Sequence, residues 1–295
     1  ALLLVEYTSN YSMKHEITQE GKRITNPIDT ALYRSLARLD RAYAGLLATR
    51  AINEVTPEEL ALEAQWQAEL EACLRDLYWY PLRNGLDGLP TDAAELEDRL
   101  RHDYDRDVAV AALLALLLRY QVRGVNVGGG MGLNLLGVGG HFTLTNRSYL
   151  ATLNAHAEML TSVDGNMSLV DTTISHLTQA IPAARAGDSP LTALGNLIAG
   201  WSLYRSGTIA ITELTRMVGN GLSWTFDRNG VEEQEFVTRE DAAVCQRCAP
   251  LHGRRMPVNN IPPDLLLPIH TSCRCTYQPV TQGWQMPTQI WRGGP

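Results

Sequence analysis

Apolar residues recur every three or four positions along most of the chain, and beyond Gly219 they fall into short alternating runs. That change of period separates a helical body from a smaller β part. Asn26-Pro27 supplies an N-cap and a first-turn proline for a helix to Thr49, with Leu32, Leu36, Leu39, Tyr43 and Leu46 on one face. Thr56-Pro57-Glu58-Glu59 is a capping box that opens a second helix to about Tyr78, with Trp66, Leu70, Cys73 and Leu77 on one stripe. Cys73 is therefore expected in the core. After a Gly- and Pro-containing loop at 80–90, a third helix is predicted from Asp92 to Tyr120. Gly124 to Gly140 is so rich in glycine that it reads as a flexible or close-packed loop. From His141 onward three or four helices follow in short succession, with starts at Asn146, Ser168 and Ser189-Pro190. His156 and His176 sit singly on these helices and are expected to pack or face solvent. Beyond them, Leu222–Phe226 and Val231–Thr238 flank Asp227–Gly230, a hairpin signal, and a last extended piece runs from Cys275 to Val280.

The predicted fold is mainly α with a small C-terminal β/zinc-knuckle module, an α+β arrangement. Its parts are an N-terminal arm at 1–25, a helical body at 26–220 carrying the Gly-rich loop at 124–140, the module at 221–280, and a tail at 281–295. The 295 residues suffice for a real core without disulfide help. A formal charge of −7 argues against a broad electrostatic footprint for nucleic acid. The longest apolar runs, such as Val108–Leu118, are too short to span a bilayer and continue into Arg119 and Arg123, so no membrane association is expected. No basic segment precedes Leu2–Val5, and a signal peptide is not expected.

Chemistry concentrates in one stretch. Cys245 and Cys248 form a Cys-x2-Cys pair, and His270, Cys273 and Cys275 form a His-x2-Cys-x-Cys cluster; together they hold four of the five cysteines. Two thiolates two residues apart can face one tetrahedral ion, and the second cluster supplies the remaining ligands. Zinc suits thiolate and imidazole. A closed site takes four of these five residues, leaving one of His270, Cys273 or Cys275 outside the coordination sphere. Two disulfides or unligated thiols are the alternatives. Other motifs carry less. His102–Asp107 has the acidic look of a calcium loop, but Val108 and Leu114 stand where such a loop needs Gly and Glu.

Several runs resemble the C-terminal signature of phage minor head proteins, the Mu F-like head-morphogenesis family. They are Thr238-Arg-Glu-Asp241, Val244-Cys245-Gln-Arg-Cys248, Leu251-His-Gly253 and His270-Thr-Ser-Cys273-Arg-Cys275 closing on Pro279-Val280. Upstream, Ile209-Ala-Ile-Thr-Glu213 resembles the family's Ile-Ala-Arg-Thr-Glu run, with Ile211 in place of the usual Arg and Gln246 in place of a usual Pro. The resemblance covers roughly 140–280. It implies a structural virion protein of a tailed bacteriophage, not an enzyme. The implied role is to associate with the portal, the major capsid protein or both within a larger assembly. It further implies roles in head assembly and in DNA packaging or ejection, contact with packaged DNA, and a place in the phage head after assembly in the host cytoplasm.

Two other readings stand beside it. One is a zinc-supported His-Asn-His-like nuclease using His252, Asn259 or Asn260, and His270, which would need an accessible base and a second, hydrolytic cation. The other is an adaptor or carrier related to the family. Glu213 could pass for a catalytic acid, yet a lone helical carboxylate is more often a buried hydrogen-bonding partner. In the tail, Trp284 and Trp291 lie among Gly and Pro; they are candidates for docking into a partner's groove, or for folding back on their own module.

Overall fold

The computed structural model describes residues 57–105, 108–163, 168–238 and 245–294. The expected N-terminal arm and the helix at 26–49 lie outside the described residues. Six α-helices are described: α1 Pro57–Trp79, α2 Ala93–Asp105, α3 Val108–Leu135, α4 Arg147–Thr161, α5 Leu169–Arg185 and α6 Pro190–Arg228. Three short strands follow, β1 Glu233–Val237, β2 Arg255–Pro257 and β3 Thr276–Pro279, in an open sheet of order β2-β1-β3. The fold is thus mainly helical with a small, unclosed C-terminal sheet beside the Cys/His cluster.

Two helices begin at side-chain caps, whereas Ser189 ahead of α6 makes no side-chain cap hydrogen bond and Pro190 opens that helix. Asn146 Oδ1 accepts from the Ser148 and Tyr149 amides, and Ser168 Oγ accepts from Val170 and Asp171, each satisfying orphan donors of a first turn. In α1 the stripe Leu62, Trp66, Leu70, Leu74 and Leu77 is buried, and Trp66 stacks on Tyr120 of α3 with centroids 5.2 Å apart. Cys73 is half-buried against the same core, and burial, with Asp76 nearby, pushes its thiol up to about 11. The core continues from these helices into Phe236, Met256, Leu267 and Tyr277 of the C-terminal part.

Three expectations are corrected. The segment expected as a single helix from Asp92 to Tyr120 forms two, α2 and α3. The Gly-rich stretch is not a loop up to Leu135; it is the second half of α3, and only 136–140 are irregular. Glycine normally costs about 1 kcal/mol in a helix, but here it allows α3 and α6 to touch backbone to backbone. A Cβ on Gly128 would lie 2.2 Å from Val218 O, and one on Gly221 would lie 2.3 Å from Val125 O. This extension also makes α3, at 28 residues, long and apolar enough to cross a membrane by length and composition. In the structure it packs against α1, α4 and α6, and Arg119 pairs with Glu69.

The third correction concerns the expected hairpin. Leu222–Phe226 is the end of α6, not a strand. Gly230 takes φ 78°, Val231 N–H donates to Phe226 O (3.0 Å) and Gly230 N–H to Asp227 O (3.0 Å). This is the helix-ending Schellman pattern. An Asn-Gly pair supplies the left-handed residue for a helix terminus as readily as for a hairpin. β1 instead pairs with β2, which the sequence pattern did not reveal, and with β3; Gln234 faces Met256, and Phe236 faces Tyr277.

Candidate metal centre

Cys245 and Cys248 sit on a tight turn that leads into a short 3-10 helix at Ala249–Leu251. The Cys248 and Ala249 amides both donate to Cys245 O at 3.0 Å, and Cys248 N–H also lies 3.4 Å from Cys245 Sγ. The chain thereby folds around the first sulfur, as a metal knuckle requires. The second cluster approaches from the loop before β3, where Tyr277 acts as a brace. Its hydroxyl donates to Leu265 O (2.8 Å) and accepts from Leu267 N–H (2.9 Å), fixing the chain just ahead of His270.

The five predicted residues fall into two overlapping triads. Cys245, Cys248 and His270 form one close triad and Cys248, Cys273 and Cys275 another, so Cys248 belongs to both. His270 Nε2 lies 3.0 Å from Cys245 Sγ and 3.2 Å from Cys248 Sγ. Its other ring nitrogen, Nδ1, lies 2.7 Å from Thr271 O. A carbonyl only accepts, so Nδ1 carries a proton; in the neutral ring Nε2 then presents a lone pair toward the sulfurs, the tautomer a metal-bound imidazole needs. No disulfide joins these cysteines.

The thiols are unequal. The hydrogen bond with Cys275 pulls Cys273 down to about 5, against the opposing effect of burial. Cys275 is pushed up, first by that shared hydrogen bond and then by burial. Burial, then the negative charge of Cys273, pushes Cys248 up to about 12. Burial would raise Cys245 too, but hydrogen bonds involving Cys248 and the Arg247 backbone outweigh it and hold the thiol below its ordinary value. Ligation needs thiolates, and the raised values of Cys248 and Cys275 oppose it.

The remaining candidates are placed elsewhere. His252 is exposed, and its Nδ1 accepts from the Thr238 amide at 3.1 Å, which leaves the ring proton of the neutral form on Nε2. Asn259 and Asn260 are exposed after β2. Glu213 is buried, 2.7 Å from His156 Nε2 and 3.4 Å from Arg216 Nε, as a hydrogen-bonding partner within the helices. His176 packs against Tyr78 and Trp201, and its Nδ1 lies 2.6 Å from the Tyr78 hydroxyl.

Trp284 and Trp291 are half-buried against their own chain. Trp284 Nε1 donates to Asn229 O (3.0 Å); the Trp291 amide donates to Asn229 Oδ1 (2.8 Å), and its ring meets Phe142 and Tyr149 edge-on. The tail is tied further by the Thr143 amide on Arg292 O (3.0 Å) and the Thr145 amide on Gly293 O (2.7 Å). It folds back on the helical body, a packing that a reading of Gly and Pro around two tryptophans left open. Comparison with family models, curated proteins and solved structures finds no match.

Proposed function

We propose that the chain is a structural protein whose C-terminal part is held by one zinc ion, serving as a minor head component of a tailed phage. The metal reading is carried by His270, whose Nε2 turns to two thiols while its Nδ1 donates to a carbonyl. Two donor triads share Cys248, and a site taking four of these five residues would leave no water position, as in structural sites. The virion role is supported by the motif runs around this cluster, including Ile209–Glu213 and His270–Cys275. Partners would be portal or major capsid protein.

Two measurements test these parts separately. Protein purified under reducing conditions should carry about one zinc per chain; a folded, metal-free protein overturns the metal reading. Immobilised chain should retain purified portal or major capsid protein; failure with both overturns the virion reading and leaves the metal reading untouched.

The same cluster also favours a second reading, a zinc-supported nuclease, because that reading needs a structural metal beside an exposed histidine. Divalent-cation-dependent DNA cleavage that is lost in His252→Ala, with zinc content unchanged, would establish it. Absence of cleavage with magnesium or manganese would remove it.

A further inference from the structure

Three of the five donors sit on a six-residue loop, 270–275, whose shape is held from outside the C-terminal sheet. Ser272, between His270 and Cys273, has φ 58°, the one positive value for a non-glycine residue among the described residues. An L-residue avoids this conformation unless its surroundings impose it. The imposing groups come from the middle of α6. Thr212 Oγ1 accepts the Ser272 amide at 2.9 Å, and Thr215 Oγ1 donates to Cys273 O at 2.7 Å. The two hydroxyls are one helical turn apart on the same face. Neither rotates freely. Thr212 also donates to Thr208 O at 2.6 Å, which aims its lone pair at the loop, and Thr215 is buried. Inside the loop the Cys273 amide donates to His270 O at 3.1 Å, closing the turn on which His270 and Cys273 are carried.

We propose that Thr212 and Thr215 are positioning residues of the metal centre, setting the loop in its ligating shape before an ion arrives. The inference rests on the metal reading above. Its content is that the long helix belongs to the site although it contributes no donor. A merely structural role, satisfying buried backbone groups, would lower stability but leave intrinsic metal affinity and geometry alone.

The test uses the full chain and cobalt(II) in place of zinc. Thiolate-to-cobalt charge transfer and the d–d bands report donor set and geometry, and chelator competition gives zinc affinity. Thr212→Val and Thr215→Val keep shape and remove the hydroxyl. Each should weaken affinity about 10- to 100-fold, the usual effect of losing an outer partner of a ligand, and should broaden the d–d envelope. Thr215→Ser should restore both. Thr225→Val is the control, because the Thr225 hydroxyl donates only within α6, to Gly221 O at 2.7 Å; its affinity should equal wild type. Thr212 is less buried than Thr215 and carries the test if Thr215→Val does not fold. A wild-type spectrum and affinity in both valine variants, or an equal loss in Thr225→Val, overturns the positioning role while the metal reading stands. A wild-type chain that binds no cobalt overturns the metal reading itself, and this inference with it.

Discussion

The helical body and the C-terminal sheet are stabilised by different means. In the body, α3 and α6 approach until main chain meets main chain, and aromatic residues such as Trp66, Tyr78 and Tyr120 fill the space around them. The sheet has strands of five, three and four residues and open edges. Three short strands bury too little apolar surface to be stable alone. What the sheet adds is Tyr277, which braces a loop by two hydrogen bonds, and a cluster of donors that an ion can cross-link. The body is specified by the absence of side chains at a few positions, the sheet by the presence of particular ones.

The comparison breaks most readily at the cluster. Cys248 belongs to both triads, so Cys248→Ser should abolish stoichiometric zinc and cost more than about 4 kcal/mol, the range of a lost metal site. Because the apolar core runs on into the helices, the far-UV helical signal should persist while amides of β1 to β3 lose hydrogen-exchange protection. Uniform loss of protection across α1 to α6 would mean that the sheet and body do not differ in this way. Metal affinity should also fall as pH is lowered, since an ion must displace protons from the raised thiols Cys248 and Cys275.

In the body, the matching perturbation is to add atoms. Gly128→Ala places a Cβ 2.2 Å from a backbone oxygen of α6 that no rotamer change can move. Overpacking of this kind should cost about 2–3 kcal/mol even after the gain of about 1 kcal/mol in helix propensity. Chemical denaturation followed by circular dichroism measures the loss. Zinc content should be unchanged, which separates this failure from the cysteine variant.

What was legible in the sequence follows the same division. Helix starts at Asn146 and Ser168 were readable because a cap and its amides lie within three residues. The five metal-site candidates were readable because ligand spacing is a local property. Glycines 124, 128 and 132 repeat every fourth position, a stripe visible in the sequence, but its meaning required knowing that α6 would lie against it. Asn229-Gly230 satisfies a helix terminus and a hairpin equally, so only the neighbouring helix decides between them. β2 is three residues long and ends in Pro257, leaving almost no pattern to detect. Thr212 and Thr215 look like ordinary helical threonines until the loop they hold is brought beside them.

The contact between tail and body is open to a milder test. Trp291→Ala removes a half-buried ring set against Phe142 and Tyr149, and should cost about 2 kcal/mol, below the value for a fully buried aromatic. A neutral result would mean that the tail is not part of the body's packing. His176 offers a smaller, pH-dependent effect. Burial, with Arg205 adding repulsion, lowers its pKa from 6.5. Below that pH the unfolded chain binds more protons than the folded one, so stability should decline as pH falls from 6.5 through the lowered folded value. The urea midpoint of wild type should therefore rise relative to that of His176→Gln as pH increases toward 6.5, and the difference should level off above it.

The smallest expected effect has the opposite sign and sharpens the argument about glycine. Gly130 lies two residues from Gly128 in the same helix, yet a Cβ there meets nothing within 4 Å. If the glycine stripe serves close approach, only positions facing α6 or Phe142 need glycine, and Gly130 retains the entropic cost without the packing benefit. Gly130→Ala should then stabilise the chain by about 0.5–1 kcal/mol, read as a higher urea midpoint at unchanged slope. The pair Gly128→Ala and Gly130→Ala would thus move stability in opposite directions from changes two residues apart. If both variants destabilise, the segment needs glycine for some reason other than the approach of α6, and the contrast drawn between body and sheet loses its footing.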